Sequence, residues 1–444
     1  MTAFILLMGV FLVTGTVISL LVMRSKQTQE EYFIGGRTIG GVVSALTYSS
    51  TTYSAFMMVG LVGLAYSTGA GALIFELAYL LGTVILLSIY GRRIWKMSRE
   101  KQLISPMELF SNRYGEITGT IGTLISFVAL IPYTAVQVIG LGLILQAYGG
   151  FSYGAGVVVA SVIICLWAFI GGLRGVALTD AVQGVFMLGI AVAGVLWVGR
   201  TFTGFQLQSF PNEFWTPVRF INLTLPWFFF ALTNPQVLQR LFIPKDGRSL
   251  RRMIVLFAVF GLVYTLIVTF IGFGARYASD AGLFPVVADR DRVILELFAR
   301  MARALALPLA LSVIFASVST ANSIILTLSS MLARDVLREQ RRVWVGRIFI
   351  IVLTLIVCVF SLRRPGYIVE LSVSSSAILL CFLPLLFGVF HYKRGGKLTG
   401  VLTCLSGAGA AIVLGILKVP LSSVYTLLVA FGVFLITSLF EPRS

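Results

Sequence analysis

Eight consecutive residues at positions 47–54 read T-Y-S-S-T-T-Y-S, and every one carries a hydroxyl. They lie in the middle of an apolar run from about residue 40 to 66. Hydrocarbon offers polar groups no partners, so a membrane helix holding such a stretch must face protein or a water-filled cavity. The pattern predicts a helix that breaks there and binds something with its freed backbone. A second polar group lies in the run 301–333. Ser312, Ala316, Ser319, Ser323 and Thr327 recur at three- and four-residue spacing and share one helical face, with Thr320 beside them. Two explanations stand. The hydroxyls bond their own preceding carbonyls or pack small against small. Alternatively they serve Na+, a hard monovalent cation that wants about five oxygens, supplied by hydroxyls and unwound carbonyls without a fixed charge.

Carboxylates at membrane depth are few. Glu76 sits in an otherwise apolar run, and an intramembrane carboxylate of this kind points to substrate or ion contact. Asp180 opens the run 180–200 near the inner surface. It is either a carboxylate favoured by a helix N-terminus or a cation relay on the exit path. Trp227, Phe228, Phe229 and Phe230 lie between Pro226 and Asn234-Pro235. They are either lipid-facing and core aromatics or the wall of a solute cavity. Pro132 should bend its helix, with Gln137 following it toward the pocket. Ser54, Met57, Glu76, Gln137, Trp227 and Phe230 form an amphipathic candidate pocket for a small organic solute.

The elements that position these residues follow from composition. The chain has 444 residues, of which 58% are hydrophobic and 11% charged, with a mean hydropathy of +0.97. That composition marks an all-α polytopic membrane protein. Runs long enough to cross a bilayer fall near 3–23, 40–66, 69–91, 117–148, 154–171, 180–200, 218–238, 252–274, 301–333, 342–362, 367–391, 398–418 and 422–440, about thirteen spans. The first has no basic segment before it and reads as a span rather than a cleaved signal. Of the 34 Lys and Arg, 23 fall in alternate loops and the C-terminal tail. The N-terminus is therefore expected outside and the C-terminus in the cytoplasm, with the chain multi-pass in the cell membrane. The same clustering explains the net charge of +17 without nucleic acid. The partners implied are a solute and the bilayer, with no partner protein. The four cysteines stand singly in apolar runs, and no catalytic or nucleotide-binding motif suggests an enzyme.

With the first span set aside, the next ten pair as five plus five. The first members, 40–66 and 218–238, are both interrupted, and the third, 117–148 and 301–333, are both long enough to require tilt. Five being odd, the second set must run inverted. Such repeats with matching broken helices are the signature of a secondary transporter with its site at the bilayer midplane. The expected divisions are 1–39, a peripheral helix and loop; 40–200 and 201–391, the two repeats; and 392–444, two peripheral helices. A short lid helix is expected in the external loop 275–300.

Five segments then resemble the sodium/solute symporter family, which includes proline, pantothenate and sodium/glucose transporters. They are E-Y-F-I-G-G-R at 31–37, G-G-L-R-G-V-A-L-T-D-A-V-Q at 171–183, N-P-Q-V-L-Q-R at 234–240, A-S-V-S-T-A-N-S at 316–323 and F-L-P-L-L-F-G at 382–388. The resemblance implies the leucine-transporter-type fold. It also implies a Na+ site of the Ser50, Tyr53 and Ala316 carbonyls with the Ser319 and Thr320 hydroxyls, and a role for Asp180 in Na+ passage. Thr52 and Ala231 replace an aspartate and an aromatic of the proline symporter. Glu76 matches a glutamate of the sugar carriers, but Phe56 and Met57 replace the polar residues before it. The reading is Na+-coupled symport of a small organic solute by alternating access. The rivals are H+ coupling through Glu76 or Asp180, and a transporter-like solute sensor.

Overall fold

A chain embedded in lipid must satisfy its backbone internally, which leaves the helix as its building unit. The computed structural model describes residues 2–22, 28–364 and 366–441. Met23, the basic stretch 24–27 and the last three residues, which belong to the expected first span, first loop and tail, lie outside the described residues. All described elements are helical, apart from a bridge between Ile39 and Pro244. The N-terminal part contains α1 (Thr2–Val22), α2 (Gln29–Ile34), α3 (Gly41–Thr52), a π-helical stretch (Phe56–Leu61), α4 (Val62–Thr68), α5 (Ala70–Glu100), α6 (Glu108–Tyr114), α7 (Glu116–Gly149) and α8 (Tyr153–Phe202). Then come α9 (Pro217–Phe228), α10 (Phe230–Thr233), α11 (Pro235–Arg240), α12 (Gly247–Asp280), α13 (Val293–Arg300) and α14 (Arg303–Met331). The chain closes with α15 (Val343–Leu362), α16 (Ile368–Leu379), α17 (Phe382–His391), α18 (Lys397–Ile416) and α19 (Ser422–Phe440).

Among the described residues nine helices are long and apolar enough to cross a membrane, and α16 with α17, bent by 44°, make a tenth. The remaining apolar runs fall on interrupted or merged helices. Run 40–66 covers α3, the π-helical stretch and α4, and run 218–238 covers α9 to α11. The runs 154–171 and 180–200 share α8, so the segment 172–179 is helix rather than loop. A bend at Gly172 (φ 52°, ψ −165°) divides it. Asp180 therefore does not open a helix, and the helix-terminus reading of it falls.

Two of the sequence segments meet at that bend. The Tyr32 hydroxyl, from E-Y-F-I-G-G-R, donates to the carbonyls of Ala168 (2.9 Å) and Phe169 (3.1 Å). A β-carbon at Gly172 would stand 2.7 Å from the Tyr32 ring, so glycine is required there by close approach as well as by its positive φ. Gly35 and Gly36 also have positive φ, and turn the chain so that buried Arg37 reaches Glu30 (2.9 Å) and the Leu103 carbonyl (2.7 Å). The segment 275–300 does carry a short helix, α13, entered through a turn at Arg290–Arg292. That turn rests on α4: a β-carbon at Gly63 would lie 2.1 Å from the Arg290 carbonyl oxygen. Arg290 pairs with Glu370 and Arg364 with Asp289 (3.1 Å).

The C-terminal helices are fastened by Glu441. Its carboxylate accepts from the backbone N–H of Gly396 (2.7 Å), Leu398 (2.9 Å) and Thr399 (2.8 Å) and from the Thr399 hydroxyl (2.7 Å), capping α18 from the end of α19. Desolvation opposes its charge, but these bonds outweigh it and hold the carboxyl down to about 2. A depressed carboxylate adds stability above its ordinary range of about 4.5, and that stability is lost as pH falls toward 2. Glu441→Gln is expected to cost about 1–2 kcal/mol at pH 7. It should also flatten the loss of thermal stability that the native chain is expected to show between pH 4.5 and 2 in a detergent melt. An unchanged pH profile would sink this assignment.

Candidate functional site

Helix α3 ends at Thr52, and Tyr53 (φ −87°, ψ 83°) leaves helical geometry. The first six of the eight hydroxyl residues, 47–52, are still helical, so the break is narrower than the sequence pattern suggested. The last carbonyls of a helix have no intrahelical partner. Here α14 supplies one. The Ser319 hydroxyl lies 2.8 Å from the Ser50 carbonyl oxygen and 3.1 Å from that of Ala316. The Thr320 hydroxyl lies 3.0 Å from the carbonyls of both Ser50 and Thr51. Each hydroxyl carries one proton. Two protons thus face three carbonyl oxygens, leaving an electron-rich cluster of five neutral oxygens in a buried place. Tyr53 follows in the chain, but no hydrogen bond among the described residues joins it to α14. Its ring turns the other way, stacking on Phe257 at 5.7 Å and lying edge-on to Tyr79 at 6.4 Å. A β-carbon at Gly261 would meet the Tyr53 hydroxyl at 2.1 Å, so α12 receives the ring only because it has glycine there.

Further buried polar contacts surround this cluster. Thr47 donates to the Asp180 carboxylate (2.6 Å) and the Ser50 hydroxyl to the Asp180 carbonyl (3.0 Å). Thr51 and Ser323 share a hydrogen bond (2.8 Å), and the guanidinium of Arg240 donates to both. Asp180 and Arg240 are buried, and among the described residues Asp180 Oδ1 and Arg240 Nη1 have no partner. Ser323 belongs to the expected stripe on α14; Arg240, Thr47 and Thr51 were not singled out as ligands. The signal for Arg240 was its place at the end of N-P-Q-V-L-Q-R, where a lone cation follows a helix break.

The candidate pocket divides in two. On one side of the break the Ala55 N–H donates to Gln137 Oε1 (3.1 Å), and the Phe56 N–H donates to the Ser54 hydroxyl (3.1 Å). α7 runs unbroken through Pro132. It approaches closely at Gly140, where a β-carbon would lie 2.8 Å from that of Ala55. On the other side Trp227 Nε1 donates to the Glu76 carboxylate (3.3 Å) within an aromatic cluster. Trp227 lies 5.1 Å from Phe230, 4.9 Å from Phe56, 5.9 Å from Tyr79 and 6.5 Å from Tyr133. Phe56 and Tyr133 join the halves. Met57 is fully buried in the π-helical stretch. Of the two expected interruptions the one at Asn234-Pro235 is present, whereas Pro226 lies inside α9 and the other interruption falls at Phe229. The break at Phe229 puts Trp227 and Phe230 on either side of it.

The model of the sodium:solute symporter family matches residues 32–403. The chain belongs to that family. The sodium/pantothenate symporter of Escherichia coli is 27% identical over 61% of this chain and 59% of its own length. The sodium/pantothenate symporter of Haemophilus influenzae is 23% identical over 92% of this chain and 89% of its own. Among solved structures, a Na+-coupled sialic acid symporter in a substrate-bound outward-open state matches with a TM-score of 0.83. That match has 16% identity and covers 98% of this chain and 97% of the other. A nucleobase-cation-symport-1 family transporter matches with a TM-score of 0.63 at 12% identity over 95% and 97%. The fold is the all-helical one of leucine-transporter-type proteins, and the relatives are membrane symporters, not enzymes.

A buried carboxylate oxygen left without a donor costs about 1–3 kcal/mol, whereas replacing both partners by apolar groups is nearly neutral. Trp227→Phe is therefore expected to lower thermal stability by about that amount. Adding Glu76→Met should recover most of it. A double variant as unstable as the single one would show that the indole bond is not the reason.

Proposed function

We propose that this member of the family carries out Na+-coupled symport of a small organic solute by alternating access. The observation that carries the reading is the cluster of five neutral oxygens between α3 and α14. Carbonyls of Ser50, Tyr53 and Ala316 with the hydroxyls of Ser319 and Thr320 are proposed as Na+ ligands, with the Thr51 carbonyl beside them. Rotation of two hydroxyl protons away from the cluster turns oxygens that now hydrogen-bond one another into ligands for a cation. Neutral donors suit an ion that must be released each cycle. Asp180 is proposed as a relay on the Na+ path, which its unpartnered Oδ1 supports. Ser54, Met57, Glu76, Gln137, Trp227 and Phe230 are proposed to contact the solute. Na+ that holds α3 against α14 would favour the solute-binding state only by its differential affinity for that state.

The proposed architecture has two inverted repeats, 40–200 and 201–391, flanked by 1–39 and 392–444. The proposed thirteen crossings are the nine long helices, the bent pair, the two interrupted helices and the second half of α8. The N-terminus is placed outside and the C-terminus in the cytoplasm.

Na+ alone serves as the test ligand. Chloride salts of Na+ and K+ are compared for their effect on the melting temperature of the purified protein. Sodium is expected to stabilise the native chain, and Ser319→Ala with Thr320→Ala to weaken that Na+ dependence at least about tenfold, the loss of one or two charge-assisted contacts. Labelled pantothenate and proline, the solutes named for its relatives, serve as uptake probes in proteoliposomes. Unchanged Na+ dependence in the variant would sink the site. Uptake driven by a pH gradient without Na+ would favour proton coupling instead.

A further inference from the structure

A groove of 700 Å³ lies between α5 and α12 at the end of the molecule where the Lys- and Arg-rich loops gather. Its floor is aliphatic, with Leu87, Leu250, Ile254 and Val255. Its rim is cationic, with Arg92 from α5 and Arg248 and Arg251 from the first turns of α12. All three arginines are exposed. None makes an ion pair with a carboxylate among the described residues. The acidic residue nearest in sequence to Arg248 and Arg251, Asp246, is committed to capping α12 through the Ser249 N–H (2.7 Å), a bond that also holds its carboxyl below the usual range. Several other basic residues at this end have partners of their own. Arg37 pairs with Glu30, Arg334 with Glu108 and Arg338 with Glu116. Arg99 donates to the carbonyls of Arg37, Pro244 and Lys245.

The surroundings fix the depth of the groove. Ile85, Ile89, Val255, Leu256 and Val259 are exposed on the same two helices, beginning within one or two turns of the arginines. Such a belt is at ease only in hydrocarbon. The groove thus spans from acyl-chain depth to headgroup depth, apolar below and cationic above. Trp95 lines it at the boundary, with its indole N–H bonded to the Pro244 carbonyl (2.9 Å). A soluble anion would use the rim and leave the floor in water; a neutral lipid would use the floor and leave three guanidinium groups without a counter-ion. We propose that the groove binds one anionic glycerophospholipid, with its phosphate between Arg92 and the Arg248–Arg251 pair and one acyl chain on the aliphatic floor.

Such a lipid would bridge two helices at a mechanically important place. The Lys245 N–H donates to the Ile39 carbonyl (3.0 Å), tying the approach to α12 to the approach to α3. The phosphate would clasp α5 to α12 next to that tie.

The test titrates phosphatidylglycerol or phosphatidylcholine into the purified full chain in neutral detergent, reading bound lipid by native mass spectrometry and stability by thermal melt. Phosphatidylglycerol is expected to bind and stabilise, phosphatidylcholine to do so far less. Each Arg→Gln at 92, 248 and 251 should weaken phosphatidylglycerol binding about fivefold, and the triple variant about a hundredfold. Arg→Lys at the same three positions should retain most of the binding, which keeps the test open if the glutamine variant folds poorly. Lys101→Gln with Lys393→Gln and Lys397→Gln, at the same end but outside the groove, should leave binding unchanged. The proposal is overturned if the glutamine triple binds as tightly as the native chain, or if the lysine control loses as much. Stabilisation by inorganic phosphate equal to that by phosphatidylglycerol would also overturn it, by assigning the rim to a free anion.

Discussion

A helix that breaks inside hydrocarbon exposes carbonyls that no solvent will meet, and the rest of this structure depends on how α3 resolves that. Its last carbonyls, at Ser50 and Thr51, are taken up by two hydroxyls from a helix about 270 residues further on. Each such bond is worth only about 1 kcal/mol net, but leaving a buried carbonyl unmet costs more than making the bond gains. The pairing is therefore a requirement of the break rather than an ornament to it. It obliges α14 to lie against α3, Asp180 of α8 to meet Thr47 and Ser50 behind, and Arg240 of the second interrupted span to meet Thr51 and Ser323.

That requirement explains why the site is shared between distant segments. Neither interrupted span could bury its ends alone. Together with α14 and α8 they assemble a polar interior in which hydroxyls are the main currency and the charged groups stand one shell out. The aromatic cluster around Glu76 and Trp227 abuts this interior through Phe56, which belongs to the π-helical stretch just beyond the break. The neutral-oxygen cluster and the aromatic cluster are thus adjacent because a single interruption of α3 borders both.

Much of this was legible in the sequence. The eight hydroxyl residues announced the break, and the spacing of Ser319, Ser323 and Thr327 announced the face turned toward it. The family resemblance was carried by five segments, four of which meet in pairs: Tyr32 at the Gly172 bend, and Arg240 at Ser323. What was not legible had physical causes. A bend that keeps helical hydrogen bonding on both sides leaves no polar signal, so α8 looked like two spans with a loop. The interruption at Phe229 carries neither proline nor glycine, whereas Pro226, which looked like a breaker, is accommodated within α9. Tyr53 was expected to face the cation by its carbonyl alone; periodicity gives no warning that its ring is claimed by α12.

The ring of Tyr53 has a consequence for how this sequence can change. Its hydroxyl occupies the space that a side chain at position 261 would need. The two positions lie far apart in the chain yet amount to one choice. A side chain at 261 would require the Tyr53 ring and the Leu80 side chain to move. The packing of α3 against α12 is thus coupled to the neutral-oxygen cluster through a single residue, whose ring serves the one and whose backbone borders the other.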